Sequence, residues 1–246
     1  PTPRAGSRPM ASRGWPPPRP ERIPRQPDRF AMARSRYIAV EGPIGVGKTS
    51  LARRLAESLN GELLLEEPAG NPFLERFYAD PRGAALPTQL FFLFQRVRQM
   101  DQLRQADLFA DARISDFLID KDRLFAELTL DRHELDLYDR VAASVAVEVP
   151  APDLVVFLQA PVDTLLARIG RRGIGYEQQV GRRYLERLAE AYARFFHAWT
   201  SSPLLIVNAA VLDPVHNDDH YALLLQEIDR TRSGRHFFNP IASALA

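Results

Sequence analysis

The octapeptide Gly42-Pro43-Ile44-Gly45-Val46-Gly47-Lys48-Thr49 leaves this chain few folds to choose from. It follows Tyr37-Ile38-Ala39-Val40, which reads as a short buried strand. It opens a helical pattern that runs from about Lys48 to Leu59 and stops at Asn60-Gly61. In that setting G-x-x-x-x-G-K-[ST] is a phosphate cradle: the glycines let backbone N–H groups turn inward, and the helix N-terminus favours negative charge. Gly42, Gly45, Val46, Gly47, Lys48, Thr49 and Ser50 are the candidate residues for binding a nucleoside triphosphate. Lys48 is expected to reach the β- and γ-phosphates, and the Thr49 hydroxyl to ligate Mg²⁺. The chain has 30 Arg and only two Lys, Lys48 and Lys121, so the ammonium at this slot meets a requirement that a planar guanidinium serves poorly.

Downstream the pattern keeps alternating. Leu63 to Leu65, a short segment at Ile114, Leu154 to Leu158 and Leu204 to Val207 read as further strands. Helical patterns fall at about Pro87 to Leu108, from a cap at Thr129 or Asp131 to about Val147, and at Pro161 to Ile169, Tyr184 to Trp199 and Tyr221 to Ile228. Strands separated by helices imply parallel crossovers. The expected fold is therefore α/β, a three-layer P-loop kinase fold with a five-stranded parallel sheet flanked by helices and ligands at the strand C-termini.

Composition sets the outer limits. Residues 1–34 hold eight Arg against one Asp and one Glu, with nine prolines, and read as a disordered leader; the folded domain is expected over 35–246. Beyond the leader the balance is mildly acidic, which does not suggest a nucleic-acid partner. The absence of Cys excludes disulfides, thiol nucleophiles and Cys-ligated metal centres. No apolar run approaches the roughly 18 residues of a membrane helix, so no membrane partner is expected.

A phosphate loop implies a nucleoside triphosphate without naming the reaction. The guanine-reading Asn-Lys-x-Asp is absent, and a compact chain of this size fits a small-molecule kinase. Glu66-Glu67-Pro68 follows the second strand. Neighbouring strand residues face opposite sides, so at most one of the two carboxylates points at a site, where it would serve as general base for an alcohol. Gln89 and Arg96 lie seven apart on an otherwise apolar helix and share a face, a suitable pair for a nucleobase edge. Gly170-Arg171-Arg172-Gly173-Ile174-Gly175 reads as a glycine-hinged basic clamp for phosphate charge.

From about Arg36 to Leu225 the sequence resembles the deoxynucleoside kinase family, particularly its bacterial deoxyguanosine and deoxyadenosine kinase branch. Five ordered blocks carry the resemblance: Glu41 to Thr49; Glu66 to Pro68 with Asn71 to Tyr78; Gln89 to Arg96; Ser115-Asp116 with Lys121 to Ala126; and Arg168 to Gln178. It implies ATP-dependent phosphorylation of a deoxynucleoside 5′-hydroxyl in nucleotide salvage, with Mg²⁺, in a cytoplasmic homodimer. By position it makes Glu67 the general base, Tyr78 and Glu177 the pair on the 3′-hydroxyl, and Gln89 and Arg96 the readers of the base edge. Phe125 becomes the stacking aromatic, and Arg168 and Arg172 become the lid arginines over the ATP phosphates. The chain departs from animal members in having Ser115-Asp116-Phe117 after the third strand, which makes Asp116 the Mg²⁺-ordering carboxylate and leaves out the Arg that follows it in those members. Ile174 stands at a lid position that is usually Arg. Lys121 falls near a base-discriminating position and points to purines through their carbonyl or N7 acceptors. A nucleoside monophosphate kinase, using Arg76, Arg96 and Arg98 on an acceptor phosphate, and a non-catalytic nucleotide-binding subunit are the alternatives.

Overall fold

A computed structural model describes residues 36–105, 111–145 and 150–239; the leader expected over 1–34 lies outside them. The central strand β1 (Arg36–Glu41) is buried from Tyr37 onward and is followed, across the glycine loop, by α1 (Lys48–Ser58). Leu51, Ala52, Leu55 and Ala56 form the buried stripe of α1, one turn apart in pairs, and it packs on β1, β2 (Gly61–Leu64) and β3 (Ala112–Ser115). The chain then runs through α2 (Leu74–Ala79) and the long α3 (Ala85–Gln105) before β3. The expected end of this last helix at Leu108 lies outside the described residues.

After β3 come α4 (Lys121–Thr129) and α5 (Arg132–Ser144). The cap of α5 is Asp131: its carboxylate accepts from the His133 and Glu134 amides while the Glu134 carboxylate accepts from the Asp131 amide. Thr129, the other candidate, bonds the Phe125 carbonyl within α4. Val147, the expected end of α5, lies outside the described residues. The rest comprises β4 (Leu154–Gln159), α6 (Val162–Arg172), α7 (Arg182–His197), β5 (Leu204–Asn208) and α8 (Asp218–Arg230). Leu185, Leu188, Tyr192 and Phe196 make the apolar stripe of α7, and Phe157 of β4 stacks against Tyr192 and Phe196. No described helix is long and apolar enough to cross a membrane.

Two features differ from expectation. Among the described residues the sheet has six strands, not five: β6 (Arg235–Phe238) pairs with β5 in register Leu204↔Arg235 to Val207↔Phe238. Three of its four residues are exposed, so it lacks the apolar signature of a strand and exists because β5 offers an open edge. Also, α6 continues through Gly170, Arg171 and Arg172 and ends at Gly173, whose φ of 68° is left-handed. The basic segment is thus the last helical turn, where cations complement the helix dipole, with a hinge only at its end.

All strands are parallel in the order β2-β3-β1-β4-β5-β6. Because β1 is central, with β2 and β3 on one side and β4 to β6 on the other, its carboxyl end opens at the switch point of the sheet, where such folds bind ligands. The phosphate loop begins there.

Candidate active site

Gly42, Gly45 and Gly47 adopt φ of 149°, 82° and 106°, values that turn the loop around an open centre. A Cβ on Gly42 would lie 2.3 Å from the Leu158 carbonyl oxygen. Gly42→Ala is therefore expected to cost about 1–3 kcal/mol and to weaken ATP binding, measured by urea unfolding and calorimetric titration; unchanged values in both would refute the close approach. The Lys48 ammonium, curled onto the carbonyls of Gly42 (2.8 Å) and Pro43 (3.3 Å), has its pKa lowered by burial and then by the nearby Lys121 charge.

The donor cavity, about 650 Å³, extends from this loop to the segment after β5, Leu212 to His216. Ser50 and Val46 are in its wall with Lys48 and Thr49. Arg168 is also there, fastened by bonds to the carbonyls of Val46 (3.0 Å) and Ala209 (2.7 Å). Arg172, exposed at the end of α6, reaches 3.4 Å from Glu177. Thr49 donates to Asp116 at 2.5 Å, and the other Asp116 oxygen accepts from the Glu66 amide at 2.7 Å. A hydroxyl and a buried carboxylate side by side at the phosphate loop are hard oxygen donors that suit Mg²⁺, which takes one or two protein ligands and completes its shell with phosphates and water. Among the described residues no cluster of three or more His, Cys, Asp or Glu could hold a metal alone.

A second cavity, about 190 Å³, lies against the first; Gly45, Lys48, Thr49 and Arg172 line both. Tyr78, Gln89, Arg96, Phe125 and Glu177, drawn from three helices and the turn after α6, all line it. Glu67 does not. The carboxylate in the wall is Glu66, whereas Glu67 is exposed and opens the 3-10 turn Pro68–Gly70, its carbonyl accepting from Gln95 (3.2 Å). Long-range charge decides between the two. Arg96, arriving on α3, donates to Glu66 with one terminal nitrogen and to Asp122 with the other, and Lys121 stands 3.5 Å from Glu66.

This cluster is almost wholly buried. Burial alone would raise Glu66, but Lys121, Arg96 and Lys48 outweigh it and bring its pKa down to about 2. Asp122, with one oxygen unpartnered, is pushed by burial up to about 7, Arg96 and Lys121 offsetting only part. Lys121 would be lowered by burial but is held up by Glu41 and Glu66. Its charge is therefore directed at two carboxylates and not, as the sequence suggested, at a base. Tyr78 stacks parallel to Tyr176 at 6.2 Å and meets Tyr184 edge-on; burial raises its hydroxyl well above the usual value. Sequence reasoning missed Asp122 and Tyr176, and of the pair Glu66-Glu67 the resemblance favoured Glu67. Asp122 had a signal, as an acid next to the second of only two lysines.

Burial likewise raises Asp120 and Glu177. With Asp122 they bind more protons in the folded than in the unfolded chain between about pH 4 and 7, so this contribution is complete at the acid end and lost as pH rises through the folded values. Glu66, shifted the other way, acts below that window. The urea midpoint is expected to be lower at about pH 8 than at about pH 5.5; a midpoint that rises over the same interval would contradict the burial of these acids.

Residues 38–231 match the family model described as deoxynucleoside kinase. The chain belongs to the deoxynucleoside kinase family. It is 34% identical over 157 residues to the deoxyguanosine kinase of Bacillus subtilis, covering 63% of this chain and 76% of that one. It is 30% identical over 206 residues to the deoxyadenosine kinase of Lactobacillus acidophilus, covering 78% and 94%. In fold it is similar to the deoxyadenosine kinase from M. mycoides, with a TM-score of 0.70 at 24% identity, over 79% of this chain and 99% of that one.

Proposed function

We propose that this kinase transfers the γ-phosphoryl group of ATP to the 5′-hydroxyl of a purine deoxynucleoside, with Glu66 as proton acceptor. The observation that carries the reading is the shared wall: a carboxylate lines the smaller cavity beside the Lys48 and Thr49 that also line the larger one. A hydroxyl held there meets a proton acceptor on one side and the phosphate loop on the other. The hydroxyl proton passes to Glu66 as its oxygen bonds to the γ-phosphorus and ADP leaves. Lys48, Arg168 and Arg172 offset the charge spread over the transferring group. A weakly basic carboxylate suffices, because the hydroxyl becomes strongly acidic as its oxygen bonds to phosphorus. Thr49 and Asp116 would hold Mg²⁺, which when bound supplies further neutralisation of the phosphates.

Tyr78 and Glu177 are assigned to the deoxyribose 3′-hydroxyl, Phe125 to stacking on the base, and Gln89 with the Arg96–Asp122 pair to its edge. Relatives named deoxyguanosine and deoxyadenosine kinase support the purine assignment. A cytoplasmic homodimer is the setting that the family resemblance supports, while composition and hydropathy support a folded domain starting near residue 35 with no nucleic-acid or membrane partner. Arg76 and Arg98, which a monophosphate acceptor would need, are exposed and do not line the acceptor cavity. The test is ATP-dependent turnover of each deoxynucleoside and each monophosphate. A 5′-monophosphate product from dG or dA is expected; turnover of monophosphates alone would sink the reading.

A further inference from the structure

Lys121 has a second carboxylate besides Glu66. Its ammonium lies 3.2 Å from Oε1 of Glu41, the last residue of β1 and the one before the phosphate loop. Glu41 is fully buried and otherwise saturated: Oε1 also accepts from the Tyr192 hydroxyl (3.0 Å) on α7, and Oε2 accepts from the Leu118 amide (3.2 Å). Strand, loop and helix thus hold Glu41 from three directions, and Lys121, 2% exposed, extends from this fixed point to the acceptor cavity. On the cavity side the contacts with Glu66 are not symmetric. Arg96 and Lys121 both engage Oε1. Oε2 has no hydrogen bond to any described residue, and it is not among the side-chain atoms that are both sealed and unpartnered.

We propose that Lys121 is a positioning residue that fastens Oε1 of Glu66 to the buried Glu41–Tyr192 anchor and so presents Oε2 as the atom that receives the 5′-hydroxyl proton. The inference rests on the proton-acceptor role of Glu66 proposed above and adds which oxygen acts and what holds it. Because a carboxylate on a free χ3 torsion is broad in orientation, a fixed ammonium on one oxygen selects a direction for the other. Arg96 donates to the same oxygen and is itself held by Asp122, and Lys121 adds the link from that oxygen to the buried Glu41. The chemical balance is simple: the 5′-O–H bond breaks, its proton moves to Oε2, the O–P bond forms, and ADP carries away the displaced electron pair.

The test is a double-mutant comparison in which ATP and dG or dA are each varied with the other saturating, recording kcat, both KM values and a thermal melt. Lys121→Met is expected to lower kcat about 100-fold with the ATP KM within about threefold, and Glu66→Gln/Lys121→Met to be no slower than Glu66→Gln alone. Since Lys121→Met leaves Glu41 without its counter-ion, the same comparison is made in Glu41→Gln/Lys121→Met, which removes both charges. A kcat within about threefold of the parent in either background, or losses that multiply in the double mutant, would overturn the positioning role. The underlying reading fails differently: a Glu66→Gln enzyme with parental kcat would remove Glu66 from proton transfer altogether, whatever Lys121 does.

Discussion

Glu66→Gln is expected to lower kcat by about 10²–10⁴-fold, whereas Glu67→Gln should leave it within about twofold of the parent. The two residues are adjacent, both carboxylates, and both precede Pro68, so the contrast isolates orientation from chemistry. Glu66 lies in the wall of the acceptor cavity with its amide on Asp116 and its carboxylate among Arg96, Lys121 and Lys48. Glu67 faces solvent. Gln preserves shape and removes the capacity to take a proton, so the ATP KM should hold while kcat falls. A Glu67→Gln enzyme that collapses while Glu66→Gln survives would reverse the assignment and require the turn at Pro68 to be rebuilt.

Arg96→Met is expected to lower stability by about 3–5 kcal/mol and the melting temperature by on the order of 10 °C. The guanidinium is the counter-ion of two buried carboxylates, Glu66 and Asp122, and lies over the Phe92 ring at 5.1 Å. Removing it strands two charges where water cannot replace it, apart from Lys121 at Glu66. Adding Asp122→Asn should recover part of the loss by removing one stranded charge, a coupling readable as a non-additive double mutant. The deoxynucleoside KM should rise in both variants, since the Arg96–Asp122 pair is assigned to the base edge. A melting temperature within a degree or two of the parent would show the cluster to be solvated.

The parts of the molecule that were legible in the sequence are those whose cause is local. The loop from Gly42 to Thr49 carries its own backbone requirements, and the structure meets them with three left-handed glycines. The Asp131–Glu134 cap is a four-residue pattern, and the apolar run Leu154 to Leu158 is buried throughout. What was illegible depends on partners distant in the chain. Pleat parity allowed one of Glu66 and Glu67 to face the site but did not say which; the choice is made by Arg96, 30 residues on, and by Lys121. The role of Lys121 needs Glu41, 80 residues earlier, and Tyr192, 71 residues later, in the same buried spot. Arg235-His236-Phe237-Phe238 alternates nothing that marks a strand, and its pairing follows only from the free side of β5.

That last strand bears on solubility. β5 is Leu-Leu-Ile-Val-Asn, apolar on both faces, and without a neighbour on its outer side it would present a row of unpaired amides and carbonyls beside buried aliphatics. Such an edge is a template on which other chains can add. β6 covers it with four residues that are themselves a poor template: short, carrying Arg235 and His236, with the Arg235 guanidinium turned back onto the carbonyls of Phe196, His197 and Trp199. A chain cut before Gly234 would retain every residue of both cavities and still be prone to aggregate, so activity per folded molecule is set at the centre of the sheet and yield of folded molecules at its β6 edge.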